Sequence, residues 1–403
     1  MEDVVIVGGG PAGSTTALAI VNARPELASR VLVLEKARYP REKPCAGGLG
    51  ERGDKLLRDL GVDVDVPSAR VDGISFRGAD AEASASPGRI GRVVRRVEFD
   101  HALARAVAAR GVRVRDGVRV QAVRDEGERG VALDTSDGPM RARVVVGCDG
   151  VGSVVRKTLG LGAGALRAQV VEVDTEPVPG DRLRSLLHFD ASDRRLPGYA
   201  WDFPTLVDGR ALVCRGIYRL KVDGERAEDG PDVAALLDER LRAQGIDPSR
   251  CKNKRYAERG YERSSRVARG RLMLVGESSG IDPVTGEGIA QAIEYGVLAG
   301  DFLARHLADA PGDAALGGVD AWQDHVARSR LARDLRIRSW FLKYFYGPAR
   351  PQLERLMTDT PDAIHVGCQH FAAAPHDLWK VAQVVSLGAA RMLTWKLGAL
   401  LGG

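Results

Sequence analysis

The chain has 403 residues, of which 44% are hydrophobic and 28% are charged, and it carries a net charge of +5. This length exceeds one ordinary hydrophobic core, so two or three domains are expected. The basic residues are spread along the sequence and form no compact patch interleaved with aromatic residues, which argues against nucleic-acid binding.

Cysteine usage and the N-terminal residues favour a cytoplasmic protein. The five cysteines are scattered and contain no CxxC pair, so we expect neither a disulfide framework nor a metal site. The first residues lead directly into "DVVIVGGG", without the charged and then apolar pattern of a signal segment. The sequence contains no run of about 18 consecutive apolar residues, so no membrane-spanning helix is predicted.

The first segment, "VVIVGGGPAGSTTALAIVNA", predicts a strand, a tight glycine turn and a helix. Gly8, Gly10 and Gly13 form a GxGxxG motif, in which the glycines permit the turn, the approach of a pyrophosphate and close packing of helix on strand. The next predicted strand, "RVLVLE", ends at Glu35, where a carboxylate can bind ribose hydroxyls. This arrangement predicts a bound dinucleotide.

Two later segments favour FAD over NAD as that dinucleotide. Residues 141–160 form an apolar strand that ends at Asp149 and Gly150. Residues 270–296 form another apolar strand, which leads into Gly276 and Glu277 and then into a glycine-rich helix start. A second helix N-terminus can point at an electron-rich ring. A ligand as long as FAD explains all three motifs, whereas NAD requires only the first.

With these three motifs the chain resembles the flavoprotein hydroxylase superfamily with the glutathione-reductase type of FAD fold, although Glu277 stands where that family has Asp. The resemblance implies an α/β fold with a Rossmann-like FAD-binding domain, an antiparallel-sheet substrate domain and a helical C-terminal region. We assign residues 1–75, 92–160 and 265–308 to the first, 76–91 and 161–264 to the second, and 309–403 to the third.

Three further segments narrow the resemblance to the geranylgeranyl reductase family. They are "YPREKPCAGGLGERGDKLLRDLG", "RRVEFDHALARAVAARGV" and "YAWDFP", which is similar to a Tyr-x-Trp-x-Phe-Pro signature of that family. The likeness spans residues 1 to about 300. It implies non-covalent FAD contacts at Gly8, Gly10, Ala12, Gly13, Glu35, Lys36, Arg41, Cys45, Ala46, Gly48, Arg96, Val120, Asp149, Gly276, Glu277, Gly286, Gly288 and Ile289.

The segment "GYAWDFP" places Tyr199, Trp201 and Phe203 at alternate positions, and therefore on one face of a predicted strand. With flavin motifs around it, this aromatic strip is predicted to line an apolar tunnel for a hydrophobic or lipid substrate. Spacing alone leaves a second interpretation open, in which the three rings are core residues of an antiparallel sheet.

The resemblance implies reduction of carbon–carbon double bonds in an isoprenoid-like substrate, with electrons from NAD(P)H or a small iron–sulfur carrier such as reduced ferredoxin. Cys45 is a candidate for placing or protonating the substrate, or else a structural cysteine. The alternative enzyme is an FAD-dependent monooxygenase that hydroxylates, or less readily halogenates, an aromatic or natural-product substrate. Halogenases of this fold carry Trp-x-Trp-x-Ile-Pro where this chain has "YAWDFP", and this difference argues against halogenation. A non-catalytic FAD-binding protein is the third hypothesis.

The C-terminal segment, residues 378–403, is apolar but interrupted by Lys380, Arg391 and Lys396. This pattern predicts a terminal helix packed on the body of the protein. The alternative is a helix that lies in a membrane interface with its basic residues toward the head groups, which would make the protein peripheral to the membrane.

Overall fold

Two large β-sheets, one small sheet and a group of C-terminal helices make up the computed structural model, which describes residues 1–181, 185–222, 230–308, 318–375 and 378–401. The strands are β1 (Glu2–Val7), β2 (Val31–Glu35), β3 (Gly48–Gly50), β4 (Ser68–Val71), β5 (Gly73–Arg77), β6 (Glu82–Ala85), β7 (Gly91–Val94), β8 (Arg113–Asp116), β9 (Val120–Asp125), β10 (Val131–Thr135), β11 (Gly138–Gly147), β12 (Leu166–Thr175), β13 (Leu186–Asp190), β14 (Gly198–Val207), β15 (Arg210–Val222), β16 (Lys254–Arg259), β17 (Ala268–Arg269) and β18 (Leu272–Leu274). The α-helices are α1 (Pro11–Ala23), α2 (Glu51–Asp59), α3 (Arg96–Ala109), α4 (Val154–Thr158), α5 (Val233–Ala243), α6 (Ile289–Ala308), α7 (Ala321–Arg328), α8 (Arg330–Phe345), α9 (Arg350–Asp359), α10 (Pro361–Ala372) and α11 (Leu378–Leu401).

The first sheet has the order β17-β18-β11-β1-β2-β8, and β1 pairs in parallel with both β2 and β11. All five residues of β2 are buried, as expected of a parallel strand that is covered on both faces. Strand β10 extends this sheet through antiparallel pairing with β11, and β9 pairs antiparallel with β10. The carboxyl ends of β1 and β2 are therefore neighbours, and the predicted phosphate turn and Glu35 lie at this edge.

Helices α1 and α6 pack closely, and two glycines of α6 make this contact. A Cβ atom at Gly296 would lie 1.9 Å from Thr15 Oγ1, and one at Gly300 would lie 2.3 Å from Ala19 Cβ. Side chains at these two positions would separate the helices. The close contact holds the start of α6 beside the start of α1, and both helix starts belong to predicted FAD motifs.

The second sheet has the order β16-β12-β15-β14-β13-β5-β6 and is antiparallel except between β13 and β5. Strand β5 spans the boundary predicted at residue 76 and belongs to this sheet along its whole length. Helix α5 covers one face of the second sheet, through Leu237 and Leu241. The α/β fold with an antiparallel second sheet and C-terminal helices is confirmed, while the exact domain boundaries stay predictions.

The other face of the second sheet packs against the C-terminal helices. Leu342 and Phe345 of α8, Leu353 of α9 and Ile364 of α10 join the buried aromatic residues of the sheet in a second hydrophobic core. The C-terminal region is therefore a cover on the sheet face that carries Tyr199, Trp201 and Phe203.

Helix α11 packs on the preceding helices through a single face. Lys380 lies 3.2 Å from Asp362, and Arg391 lies 2.8 Å from Asp359. Its outer face exposes Leu378, Val385 and Leu393. None of the helices in the described ranges is long and apolar enough to cross a bilayer. Packing on the body agrees with the first interpretation of this segment, and contact with a membrane surface stays a prediction.

Candidate active site

The glycine turn after β1 has the geometry that the sequence predicts. Gly8 has a φ angle of +105°, and a Cβ atom there would lie 2.3 Å from the backbone oxygen of Cys148. A Cβ atom at Gly13 would lie 1.9 Å from the backbone oxygen of Gly8. Only glycine fits at these two positions, because the turn and the first helix approach the backbone too closely for a side chain. The turn therefore presents the N-terminus of α1 at the edge of the first sheet.

Glu35 is buried at the end of β2 and is held by the same turn. Its Oε2 atom accepts a hydrogen bond of 3.0 Å from the backbone N–H of Gly9, and its Oε1 atom accepts one of 3.1 Å from Ala37. The Tyr39 hydroxyl donates to the backbone oxygen of Gly9 at 2.5 Å. These contacts fix the carboxylate beside the glycine turn, where the sequence predicts ribose binding.

Two guanidinium groups face the glycine turn. Arg96 donates two hydrogen bonds of 2.7 Å to the buried carboxylate of Asp100, and Arg41 lies 2.9 Å from the same carboxylate. A Cβ atom at Gly10 would lie 3.4 Å from Arg96 and 3.7 Å from Arg41. The space over Gly10 is thus bounded by two cations and a helix N-terminus, which suits a pyrophosphate.

The two later motifs converge on this region. A Cβ atom at Gly276 would lie 2.6 Å from Ala12 Cβ, which places the third motif against the first turn of α1. Glu277 lies 3.4 Å from Lys43 and beside Gly150 of the second motif. The residues present fit FAD, because three separate motifs surround one edge of the first sheet and leave polar groups facing it.

Asp149 offers one such group. Its Oδ2 atom accepts a hydrogen bond of 2.7 Å from the backbone N–H of Val154, whereas its buried Oδ1 atom has no partner among the described residues. Burial raises the pKa of this carboxyl group. A buried acceptor without a partner is what a ligand hydroxyl would satisfy.

Several other predicted cofactor residues make none of the contacts described above. Gly286 and Gly288 belong to the loop before α6, and Ile289 is the first residue of that helix. The side chain of Lys36 is exposed and makes no ion pair with a described residue, while Val120 is buried in the first core. The roles of these residues in FAD binding stay predictions.

The segment from Arg41 to Gly48 connects the FAD region with the second sheet. The backbone N–H of Cys45 donates to Glu172 of β12 at 3.1 Å, and Ala46 packs against the second core. A Cβ atom at Gly48 would lie 3.8 Å from the ring of Phe203. One short segment thus supplies Arg41, which with Arg96 forms the arginine pair, at one end, and contacts the aromatic strip at the other.

Two ionisable groups at this junction favour their neutral forms. Burial raises the pKa of the Cys45 thiol, and the nearby Arg96 only partly opposes this effect. Burial also raises the pKa of Glu172, although its Oε2 atom accepts a hydrogen bond of 3.0 Å from the Tyr256 hydroxyl. At both groups burial therefore shifts the equilibrium toward the protonated form relative to water.

The aromatic strip shares one sheet face, as the alternation predicts. The ring centroids of Tyr199 and Trp201 are 6.2 Å apart, as are those of Trp201 and Phe203. Phe189 contacts the first and third rings edge-on, and Tyr218 stacks on Tyr199. The rings are between 2% and 7% exposed and belong to the second core. Their packing agrees with the core interpretation, and substrate binding by them stays a prediction.

Several residues that lie at this junction were not identified from the sequence. Tyr218 pairs with Tyr199 across β15 and β14, and Glu172, Tyr256 and Glu258 occupy the neighbouring strands β12 and β16. Alternation within β15 or β16 could have placed them on a face, but the pairing register that brings them beside the strip is not encoded in any short motif.

A cavity of about 1430 Å³ lies elsewhere, on the opposite face of the second sheet. Its lining includes Ser75, His188, Asp202 and Arg240, and contains none of the predicted FAD or substrate residues. Its lining mixes polar and apolar residues and lies on the sheet face opposite the aromatic strip, so it is not the tunnel predicted over that strip. In the described parts of the chain, no three His, Cys, Asp or Glu side chains are grouped to hold a metal ion.

Comparison with known proteins agrees with this geometry. The chain is 31% identical over 318 residues to menaquinone reductase of Mycobacterium tuberculosis, covering 75% of this chain and 76% of the relative. It is 30% identical over 353 residues to digeranylgeranylglycerophospholipid reductase 1 of Methanopyrus kandleri, covering 80% and 85%. It is also 28% identical over 352 residues to rifampicin monooxygenase of Streptomyces venezuelae, covering 83% and 70%.

The fold is shared with a geranylgeranyl bacteriochlorophyll reductase-like protein of Thermoplasma acidophilum, with a TM-score of 0.73 at 20% identity, over 96% of this chain and 98% of the other. The family model described as "FAD binding domain" matches residues 1–329. The chain therefore belongs to the FAD binding domain family, and its likeness to geranylgeranyl reductases within the FAD-dependent hydroxylase superfamily is confirmed.

Proposed function

We propose that this FAD-dependent oxidoreductase reduces carbon–carbon double bonds of a hydrophobic, isoprenoid-like substrate, with electrons from NAD(P)H or a reduced carrier. The observation that carries the proposal is the segment from Arg41 to Gly48, which joins the FAD region to the aromatic strip. The names of two relatives, a menaquinone reductase and a digeranylgeranylglycerophospholipid reductase, support a reductase that acts on lipid-like molecules.

The residues of the junction suit this reaction. FAD, when bound, supplies the two-electron redox chemistry. Saturating a double bond adds one hydride and one proton, so the site needs a group that is protonated at neutral pH. The half-buried thiol of Cys45 would meet this need, since its surroundings raise the pKa of the thiol and Glu172 accepts a hydrogen bond from its backbone N–H. The apolar rings of the strip would hold the chain of the substrate and exclude water.

The second candidate function is hydroxylation by a monooxygenase, which the likeness to rifampicin monooxygenase favours. The two reactions differ in their products. Under anaerobic conditions, the reduced protein should convert a geranylgeranyl lipid to products heavier by two hydrogen atoms for each double bond. A monooxygenase would instead consume oxygen and yield a product heavier by one oxygen atom.

Mass spectrometry of the lipid separates the two outcomes. The matched variant is Cys45→Ala, which should retain FAD but lose most of the reductase turnover. Absence of hydrogenated lipid from the parent protein, together with oxygen-dependent product formation, would overturn the reductase proposal. Rapid reoxidation of the reduced protein in air would point the same way.

A further inference from the structure

Three tyrosine hydroxyls donate to three consecutive backbone carbonyls in the loop before α6. Tyr218 donates to the carbonyl of residue 283 at 2.9 Å, Tyr346 donates to that of residue 284 at 2.7 Å, and Tyr199 donates to that of residue 285. Tyr199 and Tyr218 lie on neighbouring strands of the second sheet, and Tyr346 directly follows α8. The loop, residues 282–287, is thereby attached both to the second sheet and to the C-terminal helices.

Burial keeps all three hydroxyls protonated. It raises the pKa of each tyrosine, so each group remains a hydrogen-bond donor at any physiological pH. The rings of Tyr199 and Tyr218 also stack, with centroids 5.0 Å apart and an interplanar angle of 13°. The three donors are therefore held rigidly, and the carbonyls have fixed partners.

The same loop is anchored by charge. Asp282 is buried, accepts a hydrogen bond of 2.8 Å from the backbone N–H of Val284 and forms an ion pair with Arg338 of α8. Arg338 also lies 3.5 Å from Glu287 at the other end of the loop. Arg338 of α8 thus contacts the loop at its start and its end, and Tyr346, which follows α8, contacts its middle.

The loop, whose carbonyls are held by the three tyrosines, leads into the N-terminus of α6. Helix α6 begins at Ile289, one residue beyond the loop, and the first N–H groups of a helix have no partner within it. The first turn of α6 contains no acidic residue, and the nearby Glu287 lies 3.5 Å from Arg338. The start of α6 is one of the three motifs that surround the FAD region.

We propose that Tyr346 is a positioning residue for FAD, and that the C-terminal helices set the electron affinity of the flavin through this tyrosine and the loop 282–287. The inference rests on FAD binding as part of the proposed function, and it does not depend on the identity of the substrate. It gives the C-terminal region a role beyond covering the second core.

The test compares Tyr346→Phe with Tyr344→Phe. Tyr344 lies two residues earlier on α8 and donates no hydrogen bond to a described residue, so it provides the same chemical change without the loop contact. Both variants are purified with FAD, and the dissociation constant of FAD, the midpoint potential and the visible circular dichroism of the bound flavin are measured. We expect Tyr346→Phe to raise the dissociation constant about threefold to tenfold and to shift the potential, whereas Tyr344→Phe matches the parent.

Thermal unfolding of each variant shows whether it is folded. If Tyr346→Phe does not fold, Tyr218→Phe removes the neighbouring loop contact and the same readouts apply. A folded variant whose FAD affinity, potential and dichroism all equal those of Tyr344→Phe would overturn the proposal. These readouts concern FAD alone, so they keep their meaning if the protein reduces no isoprenoid lipid.

Discussion

Trp201 lies directly over Gly216 on the neighbouring strand of the second sheet. A Cβ atom at Gly216 would lie 2.2 Å from Cζ2 of the indole, so the glycine provides the space in which the ring packs. The indole is 2% exposed. This pairing makes the central ring of the aromatic strip a packed residue whose position depends on its cross-strand neighbour.

Replacing Trp201 with Ala should therefore reduce stability first. Removal of a buried aromatic ring costs about 3–5 kcal/mol of unfolding free energy, and Gly216→Ala, which displaces the ring without removing it, should cost about 1–3 kcal/mol. FAD content per folded molecule should remain close to that of the parent, because the glycine turn, Arg41 and Arg96 lie outside the second sheet. Thermal unfolding and flavin absorbance measure both effects.

Turnover per folded molecule then decides whether the strip binds substrate. If the rings contact an isoprenoid chain, Trp201→Ala lowers turnover beyond the loss of folded protein. Gly180→Ala, at an exposed glycine with open space around it, is the control for the glycine substitution. A destabilised Trp201→Ala protein with unchanged turnover per folded molecule would show that the rings serve only as core residues.

Gly10→Val should abolish FAD retention while leaving the protein folded. The nearest atoms to a Cβ at this position are 3.4 Å away, so the protein itself tolerates the first atom of a side chain. A valine would, however, occupy the space between Arg96 and Arg41 that suits the pyrophosphate. The measurement is the flavin-to-protein absorbance ratio after purification, with Gly180→Val as the control. A yellow, fully loaded Gly10→Val protein would refute this assignment of the FAD site.

Glu277→Ala should weaken FAD binding, whereas Glu277→Asp should be tolerated because the shorter acid keeps the carboxylate. Loss of a charge-assisted hydrogen bond corresponds to about 1.5–3 kcal/mol. The ion pair with Lys43 allows a second explanation, namely displacement of the segment that follows Arg41. Lys43→Ala separates the two, since it removes the ion pair and keeps the carboxylate. Equal FAD affinity in Glu277→Ala and the parent would mean that the carboxylate does not contact the cofactor.

The glycine turn and the position of Glu35 beside it were predictable because they belong to one short segment of the sequence. Gly8, Gly13 and Glu35 occupy fixed positions in one strand–turn–helix–strand unit, where backbone geometry dictates the residue type. The loop contacts of Tyr218 and Tyr346 were not predictable. They join residues 65 and 62 positions apart, and depend on strand register and on how the C-terminal helices pack. The sequence could not decide whether the aromatic strip is packed in a core or lines a tunnel. Alternation places the three rings on one face of a strand but does not show what covers that face.

Glu258 provides the last prediction, which concerns stability as a function of pH. Its Oε2 atom is buried without a hydrogen-bond partner among the described residues, and a Cβ atom at Gly286 would lie 2.6 Å from it. Burial raises the pKa of this carboxyl well above its ordinary value, and the nearby Glu277 adds to the effect. The folded state therefore holds this proton more tightly than the unfolded state does.

The sign of the pH dependence follows from this difference. Below the ordinary pKa of Glu, the carboxyl group is protonated in both the folded and the unfolded state, and its contribution to the free energy of unfolding is complete. As the pH rises through the folded-state pKa, that contribution is lost. Glu258→Gln keeps the shape of the side chain but cannot ionise. We expect the thermal midpoint of the parent to fall, relative to that of Glu258→Gln, as the pH rises from about 5 to about 9. Glu128→Gln, at an exposed position, should follow the parent at every pH. Parallel curves for the parent and Glu258→Gln would mean that the carboxyl of Glu258 does not ionise differently in the folded and unfolded states.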